Sequence, residues 1–255
     1  MLISIERTGR VVSNREVIPG TYIMWLKISP AFAVLPGQFF MVKCGENLLR
    51  RPFSIYSSED DKYAIVYRVV GQGTTWLSKR KEGEEINILG PLGNSFEIPE
   101  GECNMLLIAG GLGIASISFL AEKISTSVHR VKLLYGAHDK DCLLPPSFLP
   151  DGLDIEFVTD DGSFGQKSLV TGLVPPYLGW AEQIFACGPL AMLRGLKKVT
   201  AASTIPIQVS LEARMGCGLG VCYGCAIKTK DGMKLVCHDG PVFQLENVDL
   251  ESMAI

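Results

Sequence analysis

The chain has 255 residues, 47% of them hydrophobic and 20% charged, the balance of a folded protein with room for two domains and a small third. Its formal charge of -3, with short cation runs such as Lys79-Arg80-Lys81 and Lys197-Lys198, offers no basic face for a phosphate backbone and argues against nucleic acid as a partner. No low-complexity segment or long repeat appears.

At the N-terminus, Glu6 and Arg7 stand where a secretory signal needs its apolar stretch, so a cytoplasmic protein is expected. Residues 1–99 carry short β-branched runs at Thr21 to Ile28, Gln38 to Lys43, Tyr63 to Val70 and Glu85 to Leu89. Pro36-Gly37, Gly71-Gln72-Gly73 and Gly90-Pro91-Leu92-Gly93-Asn94 punctuate them, which predicts an antiparallel β-barrel or sandwich.

Residues 100–211 change rhythm. Strand-like runs at Met105 to Ala109, Val131 to Tyr135, Ile155 to Thr159, Gln183 to Ala186 and Ile207 to Leu211 alternate with helix-like segments at Ile114 to Ile124 and Pro189 to Thr200. That alternation predicts a parallel sheet covered by helices. The window Met105 to Ala121 lacks charge, but it falls short of a bilayer span of about 20 residues and contains Gly110, Gly111 and Gly113. It reads as a buried strand, a tight turn and a helix start, and no membrane is expected as a partner.

Residues 212–255 follow neither rhythm. Cys217, Cys222, Cys225 and Cys237 are spaced C-x4-C-x2-C-x11-C, with Gly216, Gly218, Gly220 and Gly224 among them. Disulfides suit an oxidising compartment that nothing here indicates, and structural zinc sites pair short C-x2-C knuckles. The first three cysteines, C-x4-C-x2-C, fit the plant-type [2Fe-2S] loop, whose glycines let backbone N–H groups approach the sulfurs. The pattern therefore favours a [2Fe-2S] cluster over both alternatives, in a segment too small for a large core. Cys44, Cys103 and Cys142 read as small buried hydrophobes, and His129, His138 and His238 are too scattered for a metal site.

A one-electron cluster calls for a group that trades electron pairs for singles, and a flavin does this. Arg51-Pro52-Phe53-Ser54, with Val66-Tyr67-Arg68 on the next strand-like run, offers guanidinium clamps for phosphate and an aromatic wall. Gly73 and Thr74 lead into a short helix expected at Thr75 to Lys79. Gly110-Gly111-Leu112-Gly113-Ile114-Ala115 follows a strand as a phosphate loop would, although its spacing is not G-x-G-x-x-G and no clear acid ends the strand at Val131 to Tyr135. Cys187-Gly188-Pro189 opens a helix where a small soft side chain could face a nicotinamide.

In this order the motifs resemble the ferredoxin–NADP reductase superfamily. Through RPFS, YRVVGQGT, GPLGNSF, AGGLGIA, TDDGSFG, ACGP and EARMGCGLGVCYGCAIKTK, over about residues 10 to 245, the chain is similar to the electron-transfer subunits of class 1B, NAD-dependent dihydroorotate dehydrogenase. The resemblance implies a ferredoxin reductase-like fold, with a β-barrel FAD domain, an α/β nucleotide-binding domain and a small C-terminal cluster domain. It implies that Arg51, Pro52, Phe53, Ser54, Val66, Tyr67, Arg68, Gly73 and Thr74 hold FAD, that Gly110, Gly111, Gly113 and Cys187 border NAD, and that Cys217, Cys222, Cys225 and Cys237 ligate [2Fe-2S]. Phe53 stands where a Tyr is common, which removes a hydroxyl contact but not ring stacking. An FMN-containing catalytic subunit is implied as partner, two of each in a heterotetramer, with dihydroorotate oxidised there for pyrimidine synthesis and no acid–base catalyst expected in this chain. Related ferredoxin transhydrogenase, sulfide dehydrogenase or hydrogenase subunits form the alternative.

Overall fold

The computed structural model describes residues 5–124 and 128–253. The first six strands close into an antiparallel barrel in the order β1-β2-β5-β4-β3-β6. They are β1 Ile5–Ile18, β2 Thr21–Lys27, β3 Phe39–Val42, β4 Arg51–Glu59, β5 Lys62–Arg68 and β6 Glu85–Leu92. Alternation makes the inside of the barrel. Met24 and Leu26 on β2, Phe40 and Val42 on β3, and Tyr63, Ile65 and Tyr67 on β5 turn inward to one cluster. Helix α1 runs Gln72–Ser78 rather than Thr75 to Lys79, because Thr74 caps it from within: its hydroxyl accepts the N–H groups of Val70 and Gly71.

The second unit is one sheet in the order β10-β9-β8-β7-β11-β12-β15, built from β7 Asn104–Gly110, β8 Arg130–Ala137, β9 Asp154–Thr159, β10 Gln166–Lys167, β11 Gln183–Cys187, β12 Ile207–Ser210 and β15 Val242–Gln244. Its strands run parallel except β15, which pairs antiparallel with β12, so the sheet is mixed where an all-parallel one was expected. Two helices cover it, α2 at Ile114–Ile124 and α3 at Leu190–Val199.

The charge-free window from Met105 to Ala121 has a simple cause. β7 is covered on both faces, and α2 is wedged between sheet and barrel, with Ile117 and Leu120 in the sheet-side core and Phe119 in the barrel core. Among the described residues, no helix is long and apolar enough to cross a membrane.

The cysteine-rich tail carries a hairpin, β13 Ala226–Thr229 with β14 Gly232–Leu235, before returning to the sheet as β15. It draws on a large core after all. Cys225, Ile227, Val236, Cys237 and Leu245 belong to the same buried cluster as Ile108 and Val209 of the sheet and Phe39, Met41 and Leu92 of the barrel. Burial at that density contributes about 1.5–3 kcal/mol per large side chain.

Candidate functional site

A cavity of about 360 Å³ lies where the three parts of the chain meet. The barrel lines it with Arg51, Pro52, Phe53 and Ser54 from β4 and Val66, Tyr67 and Arg68 from β5, with Thr74 of α1 beside them. The sheet unit adds Leu112, Ala115, Cys187 and Leu211; the tail adds Glu212, Ala213, Met215 and Pro241. Sequence reasoning had no reason to bring that tail segment to the flavin motifs. Its one signal was an acid, Glu212, two residues beyond the end of a parallel strand.

Of the residues expected to hold FAD, eight line this cavity, and the ninth, Gly73, stands behind Arg51: a Cβ on Gly73 would lie 3.4 Å from the Arg51 Nε. Arg51 is oriented by donation to the carbonyls of Leu49 at 2.8 Å and Arg50 at 3.3 Å, and Arg68 Nε donates to the Thr21 hydroxyl at 3.2 Å. Phe53 and Tyr67 stand with ring centroids 5.8 Å apart, and the Tyr67 hydroxyl is drawn away by donation to Asn14 Oδ1 at 2.8 Å. Two cations, ring faces and a slot open at a domain junction fit a dinucleotide with a flat ring system.

The residues expected to border NAD divide between two cavities. Gly110 and Gly111 line a second one of about 420 Å³, over the carboxyl ends of β7, β8 and β9, while Cys187 faces the first. Gly113 lines neither. It is needed for close approach, since a Cβ there would sit 2.1 Å from the Cys187 carbonyl oxygen. Arg68 walls both cavities and so marks their junction. Burial raises the Cys187 thiol, and the nearby Glu212 raises it further, so Cys187 stays neutral at the crevice mouth. Glu212 is exposed to the cavity, yet the protein walls around it desolvate its carboxyl and raise it as well.

The four tail cysteines come together as two pairs. Cys225 and Cys237 have sulfurs 3.3 Å apart, and Cys217 makes a side-chain hydrogen bond with Cys222. A disulfide needs about 2.05 Å, and all the cysteines are free. Among the described residues, no three His, Cys, Asp or Glu side chains close on one point as a single ion requires. Two thiolate pairs are what a two-iron centre takes, one pair per iron.

Backbone N–H groups already point at these sulfurs, from Leu219 to Cys217 at 3.3 Å and from Gly220 to Cys237 at 3.3 Å. Burial opposes ionisation of Cys217, but the N–H groups of Leu219, Val221 and Cys222 outweigh it and bring the thiol down to about 6. Cys237 is pushed up to about 12 by burial and by its neighbour Cys225. The loop reaches this shape because Gly218 and Gly220 adopt φ of +74° and +77°, which L side chains rarely do. Gly218 also packs on the barrel, where a Cβ would lie 2.6 Å from Met41 Cγ.

A barrel beside a helix-covered sheet, with a ligand slot at their junction, defines a ferredoxin reductase-like flavoprotein fold. The ferredoxin reductase of carbazole 1,9a-dioxygenase superposes with a TM-score of 0.72 over 81% of this chain and 69% of its own, at 22% identity. The NADH-dependent reduced ferredoxin-NADP oxidoreductase superposes with a TM-score of 0.86 at 30% identity, covering 95% of this chain and 90% of that one. Residues 212–249 match the iron-sulfur cluster binding domain of dihydroorotate dehydrogenase B. The dihydroorotate dehydrogenase B (NAD(+)) electron transfer subunit of Caldanaerobacter subterraneus subsp. tengcongensis is 39% identical over 249 residues, spanning 94% of this chain and 97% of its own length. The chain belongs to the family of dihydroorotate dehydrogenase B electron-transfer subunits.

Proposed function

We propose that this chain receives electrons from a partner subunit that oxidises dihydroorotate on FMN, and delivers them to NAD by way of a [2Fe-2S] centre and FAD, in pyrimidine synthesis. The observation that carries this reading is the shared wall between the cysteine loop and the cavity of the flavin motifs. Met215 and Pro241 line the cavity within a few residues of Cys217 and Cys237, and the loop itself rests on Met41 of the barrel. Bound there, FAD supplies the exchange between single electrons and hydride.

The chain's own side chains do the rest. Arg51 and Arg68 neutralise phosphate, and Phe53 gives a ring face. Cys187, small and neutral, leaves room for a nicotinamide, and Gly110 and Gly111 let a pyrophosphate approach the backbone. Cys217 with Cys222, and the buried Cys225 with Cys237, would each hold one iron of the centre. The exposed loop residues Leu219, Val221 and Tyr223 beside Cys222 form the face toward the FMN subunit, in a heterotetramer of two of each.

A ferredoxin-linked role is the second reading, favoured by the 30% identity to the NADH-dependent reduced ferredoxin-NADP oxidoreductase. One experiment separates them. The chain, anaerobically reduced with NADH and then mixed with an FMN-containing dihydroorotate dehydrogenase subunit, regains flavin absorbance on adding orotate. Reoxidation by ferredoxin alone, with no response to orotate, selects the second reading.

A further inference from the structure

A third cavity, of about 440 Å³, shares no lining residue with the two described above. Its floor is the outer face of the barrel, with Ser13 and Arg15 on β1, Trp25 opposite Ser13 on β2, and Ser57 on β4. Helix α2 walls it with Ser118 and Glu122, and Phe148 reaches it from the loop between β8 and β9. Ala115, Ser118 and Glu122 stand at i, i+3 and i+7 on one stripe of α2. The helix therefore lines the first cavity near its start and this one about 10 Å further along.

The polar groups of this cavity are sorted by end. β1 and β4 lie three strand spacings apart in the order β1-β2-β5-β4, about 14 Å. At the β1 end stands Arg15, which makes no ion pair among the described residues, with the Ser13 hydroxyl two positions along the same face. At the β4 end stands Glu122. The Ser57 hydroxyl donates to its Oε2 at 2.6 Å and Lys123 Nζ lies 3.6 Å from its Oε1, so the carboxylate is anchored at the wall. Beside it the buried Tyr56 and Ser118 hydroxyls share a hydrogen bond. Trp25 lies between the two ends, on β2, and Phe148, 37% exposed, adds a second ring.

A cation, then rings, then a fixed carboxylate complement a phosphate, then a base, then an amino group. A guanidinium holds phosphate, an aromatic side chain stacks on a base, and a carboxylate accepts the exocyclic amino group of cytosine. The volume is that of a site for a whole small molecule rather than a gap between side chains. We propose that this cavity binds a nucleoside 5′-monophosphate whose base carries an exocyclic amino group, with its phosphate on Arg15 and Ser13, its base against Trp25, and its amino group donating to Glu122. The site is separate from the proposed electron path and does not depend on it.

Isothermal calorimetry on the FAD-loaded chain reads this, with NAD+ in excess to fill the second cavity and cytidine and uridine 5′-monophosphates as the probes. The wild type is expected to bind the cytidine nucleotide about fivefold or more tighter, because uracil presents a carbonyl oxygen where cytosine presents its amino group. Arg15→Gln is expected to weaken the cytidine nucleotide by about tenfold or more. Glu122→Gln keeps the shape and an acceptor for Ser57 but adds a donor, and is expected to bring the two nucleotides within about twofold of each other. A wild type that takes up neither nucleotide at millimolar concentration, or both equally, overturns the assignment. So does a cytidine nucleotide Kd unchanged within about twofold in Arg15→Gln, or an undiminished preference for it in Glu122→Gln. Binding that appears only when NAD+ is left out puts the nucleotide in the second cavity and overturns it as well.

Discussion

At the scale of single residues, the chemistry of the site depends on groups held away from their ordinary protonation. Glu212 opens into the first cavity with its side chain exposed there, and the protein walls around it desolvate its carboxyl and raise it. A carboxyl raised in the folded state supports folding while protonated, and that support is lost as pH rises through its folded value. Glutamine does not titrate. Glu212→Gln is therefore expected to match the wild-type Tm at about pH 4, where the unfolded carboxyl is also largely protonated, and to exceed it at pH 8. Equal Tm differences at both pH values would contradict a desolvated carboxylate. The four tail cysteines, which the fold brings together as two pairs, were legible as a group in the sequence because their spacing is local. Glu212 opens the quoted motif EARMGCGLGVCYGCAIKTK, but its place at the cavity was not legible, because an acid in a sequence carries no mark of the cavity it faces until strands from distant segments align their ends.

Among elements, the decisive join is between the turn after β6 and the end of the cysteine-rich tail. Asn94 Nδ2 donates to the carbonyls of Asp239 at 3.1 Å and Val242 at 2.9 Å, and the Val242 N–H donates back to Asn94 Oδ1 at 2.9 Å. Across a separation of 148 residues this one amide fastens the tail to the barrel next to Cys237. Asn94→Ala is expected to cost about 1–3 kcal/mol, since it strands the partners of a partly buried amide. Limited proteolysis checks it: the variant should be cut in the tail under conditions that leave the wild type whole, and equal resistance would show that the join is not structural. Strands β2, β3, β5 and β6 of the barrel and β7, β8, β9, β11 and β12 of the sheet were readable from their runs, as were both sheet helices, whereas β1 and the two-residue β10 were not. The edge strand β15 was not. Three residues of an antiparallel strand within a glycine-rich tail give no periodic signal, and its partner β12 precedes it by a whole cluster loop.

For the molecule as a whole, three sequence segments with different grammars share one interior. Phe39 and Met41 of the barrel, Ile108 and Val209 of the sheet, and Cys225 and Cys237 of the tail belong to one buried cluster. A rigid shared core fixes the distance between the two cysteine pairs and the first cavity, which flexible linkage would not, and packing at interior density resists small shifts. The most direct measurement is anaerobic reduction of the iron- and FAD-loaded chain with NADH in a rapid-freeze apparatus, followed by electron paramagnetic resonance. The paramagnetic signal of a reduced [2Fe-2S] centre is expected within the time the flavin takes to bleach. A flavin that bleaches while the cluster stays silent would contradict it.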